Sequence, residues 1–266
     1  MDSIQEYINI VFGNSYNSQD HFANKHQNEI DRFVFCGIEK VSKISLTFLR
    51  LYPQVDTTPE LEFSLGILAR SLLMDMILVM GAKKIVYNLS ESNLSEVKEE
   101  LKKYCYKVIS DGTSLIIDEI FYNEKMPEEE KHRKAEMFVS LFPNAFDTSS
   151  GKPKRKKDFR YTLSDIYKTN RNPDLRSGQI IYNLYNYYSK YDHLSHWTSL
   201  SQKIPFEKRK GKLDSAIVLM AFHLRDLFAI AYDMNDDYKV LEKQILDIQG
   251  FLEERYVADP SNFKLD

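Results

Sequence analysis

The sequence predicts an all-α helical bundle of about eight or nine helices, and three observations carry that prediction. Apolar residues recur every three to four positions from one end of the chain to the other. The 266 residues include only 9 Gly and 8 Pro, too few to punctuate a many-stranded sheet protein. Two long segments are apolar on nearly every side yet enclose ionisable groups, which marks them as the largely buried central helices of a bundle.

Each element has a local cause. Ile4, Tyr7, Ile8 and Val11 fall at i, i+3, i+4 and i+7, with Ser3 ahead of them as a cap. From Glu29 to Leu51, the residues Ile30, Phe33, Val34, Ile38, Val41, Ile44, Phe48 and Leu51 form one stripe, and Pro53 ends it. Thr58-Pro59-Glu60-Leu61-Glu62 reads as a cap, a proline at the first helical position and an acidic first turn. Ser95 opens a helix that reaches about Tyr122 with breaks, and Pro127-Glu128-Glu129-Glu130 opens another that ends near Phe142-Pro143. Thr162 caps a short segment. Leu175 to about His196, Leu213 to about Tyr232 and Asp236 to about Tyr256 complete the series, and no stretch reads as a strand.

The segment Phe63–Ala82 raises the question of a membrane. A span wants about 20 apolar residues free of ionised groups. Arg70 and Asp75 fall in mid-segment, where each would cost about 2.5–3.5 kcal/mol at the bilayer centre. A central helix of a soluble bundle is the better reading, so no membrane partner is expected. Leu213–Tyr232 has the same character, with His223, Arg225 and Asp226 among aliphatic residues.

With 43 % hydrophobic and 28 % charged residues, disorder, collagen-like repeats and a coiled-coil rod are excluded. Cys36 and Cys105 sit in apolar helical patterns and read as buried free thiols of a reducing compartment. The first residues lack the basic flank and apolar stretch of a secretory leader, so a cytoplasmic location is expected. The clearest interruption is Ser149-Ser150-Gly151-Lys152-Pro153-Lys154-Arg155-Lys156-Lys157, within a loop at about 147–160. Residues 1–266 therefore read as one helical domain with an exposed basic loop, where a boundary between two lobes would also fall.

A net charge of −3 hides a strong asymmetry. Between Lys152 and Lys212 stand 15 basic and 5 acidic residues, a net +10, while the remainder carries 21 basic and 34 acidic residues, a net −13. The basic residues cluster as Lys152, Lys154, Arg155, Lys156, Lys157 and Arg160, and again as Lys203, Lys208, Arg209, Lys210 and Lys212. Tyr161, Tyr167, Tyr182, Tyr185, Tyr187, Tyr188, Tyr191 and Trp197 lie between them. Cations interleaved with aromatics suit RNA or other single-stranded nucleic acid, the cations holding phosphates and the rings stacking bases. Solvated lysine loops and half-buried tyrosines are the plainer reading, and attraction between this segment and the acidic remainder is a third.

The segment from Tyr182 to His196 carries a polar stripe. At 100° per residue, Tyr182, Tyr185, Ser189, His193 and His196 fall within about 80° of one another, while Ile181, Leu184 and Tyr188 turn toward the core. Histidine is the usual general acid or base near neutral pH, which makes His193 a candidate for catalysis together with Ser189, Arg70 and Asp75. Tyr185, His196 and His223 are candidates for ligand binding. No Gly-x-Ser-x-Gly elbow supports a serine nucleophile. Two histidines at i, i+3 do not make a metal site, so no metal is expected. Mutual satisfaction of Tyr, Ser and His between helices is the structural alternative.

Arg70 and Asp75 lie about 140° apart around their helix and do not pair with each other. Arg70 therefore needs Asp192, Asp226 or a bound anion. His223 shares a stripe with Leu219, Met220, Leu227 and Ile230, which marks it as core-facing. Arg70, Ser71, Asp75, Ser189, His193 and His223 form a set that three helices can bring together.

At Arg70-Ser71-Leu72-Leu73-Met74-Asp75 and at Tyr185, Ser189 and His193 the chain resembles an uncharacterised bacterial all-α family, a domain of unknown function. That family pairs an Arg-Ser-Leu-Leu-x-acidic helix with a Tyr-x3-Ser-x3-His helix. Its acidic residue commonly stands one position earlier, where this chain has Met74. Such proteins are in turn similar to the HEPN superfamily of toxin–antitoxin and phage-defence bundles, many of them dimeric metal-independent ribonucleases. The resemblance implies a defence- or stress-associated setting and a homodimer. Its Arg-x4-6-His signature is absent, as are glycine-rich phosphate loops, dinucleotide fingerprints and Cys-x-x-Cys pairs, so no cofactor is expected.

The leading expectation is a cytoplasmic helical protein that contacts RNA or another polyanion through its basic, tyrosine-rich segment. A metal-independent nuclease is the enzymatic alternative, with His193 as general base and Arg70 stabilising charge at phosphorus. A non-enzymatic module docking an acidic protein is the third.

Overall fold

The computed structural model describes residues 3–22, 28–87, 93–156, 176–190 and 203–256. Eight α-helices fill most of them: α1 (Ser3–Phe22), α2 (Glu29–Leu51), α3 (Leu61–Tyr87), α4 (Leu94–Tyr122), α5 (Glu128–Val139), α6 (Arg176–Ser189), α7 (Phe206–Met234) and α8 (Glu242–Tyr256). The all-α class and the number of helices agree with the apolar periodicity. One detail corrects the strand-free reading. Phe146–Asp147 (β1) pairs antiparallel with Lys154–Arg155 (β2), setting Phe146 opposite Arg155. Strands of two residues contain no alternation to detect.

Several boundaries follow from local chemistry. α2 begins where expected, capped by Asn28, whose side-chain oxygen accepts from the Asp31 amide at 3.0 Å while its amide group donates to the Asp31 carboxylate at 2.9 Å. α3 begins at Leu61 rather than at Pro59. The amides of Leu61, Glu62 and Phe63 first close tighter turns onto Thr58, Pro59 and Glu60. α4 runs unbroken, and α7 starts at Phe206, well before Leu213, because Lys208–Lys212 is helical but charged and shows no apolar period. The short segment after Thr162 lies outside the described residues.

Packing centres on α3 and α7, which lie against each other. α6 rests on α3, and α2 runs between α1, α4 and α7. One continuous core joins α1–α4 with α6–α8. Burying side chains such as Phe48 and Phe228 contributes about 1.5–3 kcal/mol each. A second, smaller core of Ile117, Ala135, Phe142, Ala145 and Phe146 lies under α4, α5 and the hairpin. By length and composition α3 and α7 are both apolar enough to cross a membrane, with mean hydropathy 1.8 and 1.4. A core helix meets that criterion too, and the most apolar stretch of α7 is two-thirds buried. α3 is less enclosed than expected, since Ile67 and Met74 remain at the surface. Cys105 is buried, but Cys36 is exposed, contrary to its expected burial, because Phe33 and Val34 take the inward side of α2.

Candidate functional site

Where α2, α3 and α7 meet, charged side chains from all three helices interlock. Lys40 of α2 pairs with Asp75 of α3 at 2.6 Å and donates to the Ser71 carbonyl at 3.4 Å. Burial raises the Asp75 pKa, and Lys40 opposes that rise. Asp226 of α7 pairs with Lys83 at 2.9 Å and with its neighbour Arg225 at 2.9 Å. Asp226 is thus held by these two cations and not by Arg70, the partner considered for it from sequence. His223 faces the same junction and is 1 % exposed. Its stripe-mates Leu219, Met220, Leu227 and Ile230 are buried with it, as their spacing predicts. Neither ring nitrogen has a hydrogen-bond partner among the described residues. Burial drives its pKa down to about 3; Asp226 pulls upward and Lys40 adds to the fall. His223 is therefore a neutral imidazole sealed from solvent at neutral pH.

A second grouping lies between α3 and α6. The Arg70 guanidinium sits 5.5 Å from the centroid of the Tyr185 ring, a cation–π arrangement across the two helices. Ser189 donates to the Asn186 carbonyl of its own helix at 2.8 Å, so its hydroxyl is engaged locally. Ile181, Leu184 and Tyr188 are buried, as the stripe analysis requires. His193 and His196 lie outside the described residues. The expected set accordingly divides: Ser71, Asp75 and His223 gather around Lys40, while Arg70 joins Tyr185 on α6. Lys40 and Lys83 were not anticipated. Both sit on helices read as amphipathic or apolar, and no local pattern distinguishes a lysine that reaches across to a buried carboxylate.

The basic segment is partly neutralised from within. On the hairpin, Arg155 is buried, pairs with Asp111 of α4 and donates to the Lys107 carbonyl at 2.7 Å. Lys152 pairs with Asp118 at 2.8 Å and lies over the Tyr122 ring at 4.8 Å. At the start of α7, Arg209 pairs with Glu62 at 3.3 Å and Lys210 with Asp56 at 2.6 Å. The Tyr52 hydroxyl donates to Asp214 alongside them. Lys154 and Lys156 of the hairpin face Asp147, whose pKa their charges help to lower, while Lys203, Lys208 and Lys212 have no carboxylate partner among the described residues. Lys157 and Arg160 lie outside them. Of the three accounts of the charge asymmetry, internal attraction thus describes one set of cations and leaves a second set available.

Among the described residues no three His, Cys, Asp or Glu side chains are grouped to hold a metal ion. Comparison of the chain with protein-family models, curated proteins and solved structures finds no match.

Proposed function

We propose that this chain is a helical, cytoplasmic polyanion-binding module whose ligand is single-stranded RNA, contacted through the basic, tyrosine-rich segment. The observation that carries the reading is the division of that segment's cations. Some are held by or face the chain's own carboxylates, while Lys203, Lys208 and Lys212 have no such partner among the described residues. Cations left unneutralised in a segment of net +10 raise the local potential that attracts phosphates. Of the α6 tyrosines, Tyr187 lies under Lys212, whereas Tyr188 is buried in the core.

Binding of a labelled single-stranded RNA, followed by anisotropy across a salt series, tests this. The expected outcome is affinity that falls with salt, with a logarithmic slope of about 0.7 for each phosphate engaged. Absence of binding at low salt, with capture of an acidic protein in its place, overturns the reading in favour of a protein-docking module.

A further inference from the structure

We propose that Lys208 and Lys212, one turn apart near the start of α7 with Lys212 set over the Tyr187 ring of α6, form a subsite for the phosphate backbone of that single-stranded RNA. The inference rests on the RNA-binding reading and gives it a location.

Four cations fall within five positions here, and the helix sorts them by direction. Arg209 and Lys210 turn toward Glu62 and Asp56 and are neutralised. Lys208 and Lys212 are i, i+4 and share another face, with their Cβ atoms about 5–6 Å apart. Like charges at that spacing repel. Pro205 precedes the helix without any side-chain cap, so Lys208 also stands in the first turn at the positive end of the helix dipole. Lys212 is half-buried at the crossing of α6 and α7, its ammonium group 5.1 Å from the centroid of Tyr187. Desolvation, and then the charge of Lys208, pull its pKa below the ordinary lysine value.

Neither lysine has a carboxylate partner among the described residues. The acidic residues on the same stretch of helix do not relieve them: Asp214 accepts from Tyr52, and Glu207 is exposed. Self-repulsion thus acts on both lysines, the opposed dipole on Lys208, which is exposed, and partial burial on Lys212, in a helix whose neighbouring cations are all paired. A local conflict of this kind is characteristic of a binding position. A phosphate between the two ammonium groups offsets their mutual repulsion and gives the partly buried Lys212 a counter-charge. The Tyr187 ring, half-buried against the core and packed edge-on against Tyr188, fixes the Lys212 ammonium group beside the path of the strand.

The test uses the full chain, a short labelled single-stranded RNA and the paired substitution Lys208→Gln with Lys212→Gln. The expected result is at least about tenfold weaker binding and a salt slope shallower by about 1.4, two phosphates at about 0.7 each. The thermal midpoint should be unchanged or higher, since a repulsion has been removed. Lys208→Arg with Lys212→Arg, which keeps both charges, should restore the slope and thereby exclude a folding defect. If the wild type binds and the glutamine variant keeps its affinity and slope, the subsite is overturned while the RNA-binding reading stands. If the wild type does not bind at low salt, both fall. Inorganic polyphosphate, added as competitor at matched charge, separates the two sources of phosphate. Weaker competition than unlabelled RNA supports the proposal, and stronger competition overturns it in favour of a non-nucleotide phosphate ligand.

Discussion

Gly81 controls how closely α4 approaches α3. A Cβ placed there would lie 2.3 Å from the Tyr104 hydroxyl, which donates to the Leu78 carbonyl at 2.6 Å, so the ring cannot withdraw without losing that bond. Overpacking of this kind costs about 1–3 kcal/mol, set against about 1 kcal/mol of improved helix propensity. Gly81→Ala should therefore destabilise the protein by about 1–2 kcal/mol in urea denaturation. A midpoint equal to that of the wild type would mean that Tyr104 swings aside without cost. At Gly37 a Cβ would lie 2.8 Å from the fully buried Leu227 side chain, so Gly37→Ala should also be destabilising. His223 gives a prediction of a different kind. Unfolded, its imidazole takes up a proton near pH 6.5; folded, it does so only near 3, because it is buried. The unfolded chain thus binds the extra proton between those values. His223 therefore costs the fold nothing by titration above pH 6.5 and destabilises it progressively as the pH falls from there toward 3. His223→Leu should flatten this acid limb by a few kcal/mol and be neutral or stabilising at pH 7, because it also removes two ring nitrogens without partners. An acid limb of unchanged steepness would show that the ring meets solvent.

One set of polar contacts joins the start of α3 and the turn before it to the first turns of α7. Glu62 is 1 % exposed and faces Arg209, while Asp56–Lys210 and Tyr52–Asp214 flank that pair. Removing one member of a buried ion pair leaves the other uncompensated and costs about 3–5 kcal/mol, whereas replacing both with apolar residues costs much less. Glu62→Leu should therefore be strongly destabilising, and Glu62→Leu combined with Arg209→Leu should recover most of the loss in a double-mutant cycle. Equal losses in the single and double variants would show that the pair is not coupled. Such links explain which parts of the molecule could be read from its sequence. The helices could, because apolar spacing and proline stops are local: α2 has the bounds its stripe predicts, and Ile181, Leu184 and Tyr188 are buried as their phase requires. The partners of the charges could not. Arg209 meets a carboxylate 147 positions away, and Asp75 meets a lysine on another helix, so only the folded arrangement decides which cations remain available. The early start of α7 was hidden for a related reason, since a run of lysines has no apolar period to detect.

Across the whole molecule, the net +10 segment serves the fold through its paired cations and, on the proposed reading, an RNA ligand through the others, and salt separates the two. Exposed pairs such as Lys210–Asp56 contribute only about 0.2–1 kcal/mol each. A protein of this size shifts its midpoint by about 2–4 °C per kcal/mol. Raising NaCl from about 0.1 M to about 1 M shortens the screening length from about 10 Å to about 3 Å. The melting temperature should fall by only a few degrees over that range, because the buried cores carry the stability and the partly buried pairs are poorly screened. RNA affinity should fall far more steeply, by about three orders of magnitude if about four phosphates are held. The two curves must separate if the unpaired lysines belong to the ligand and the paired ones to the fold. A melting temperature that fell in step with RNA affinity would mean that the charge of this segment is spent on holding the helices together, and the polyanion reading would be lost with it.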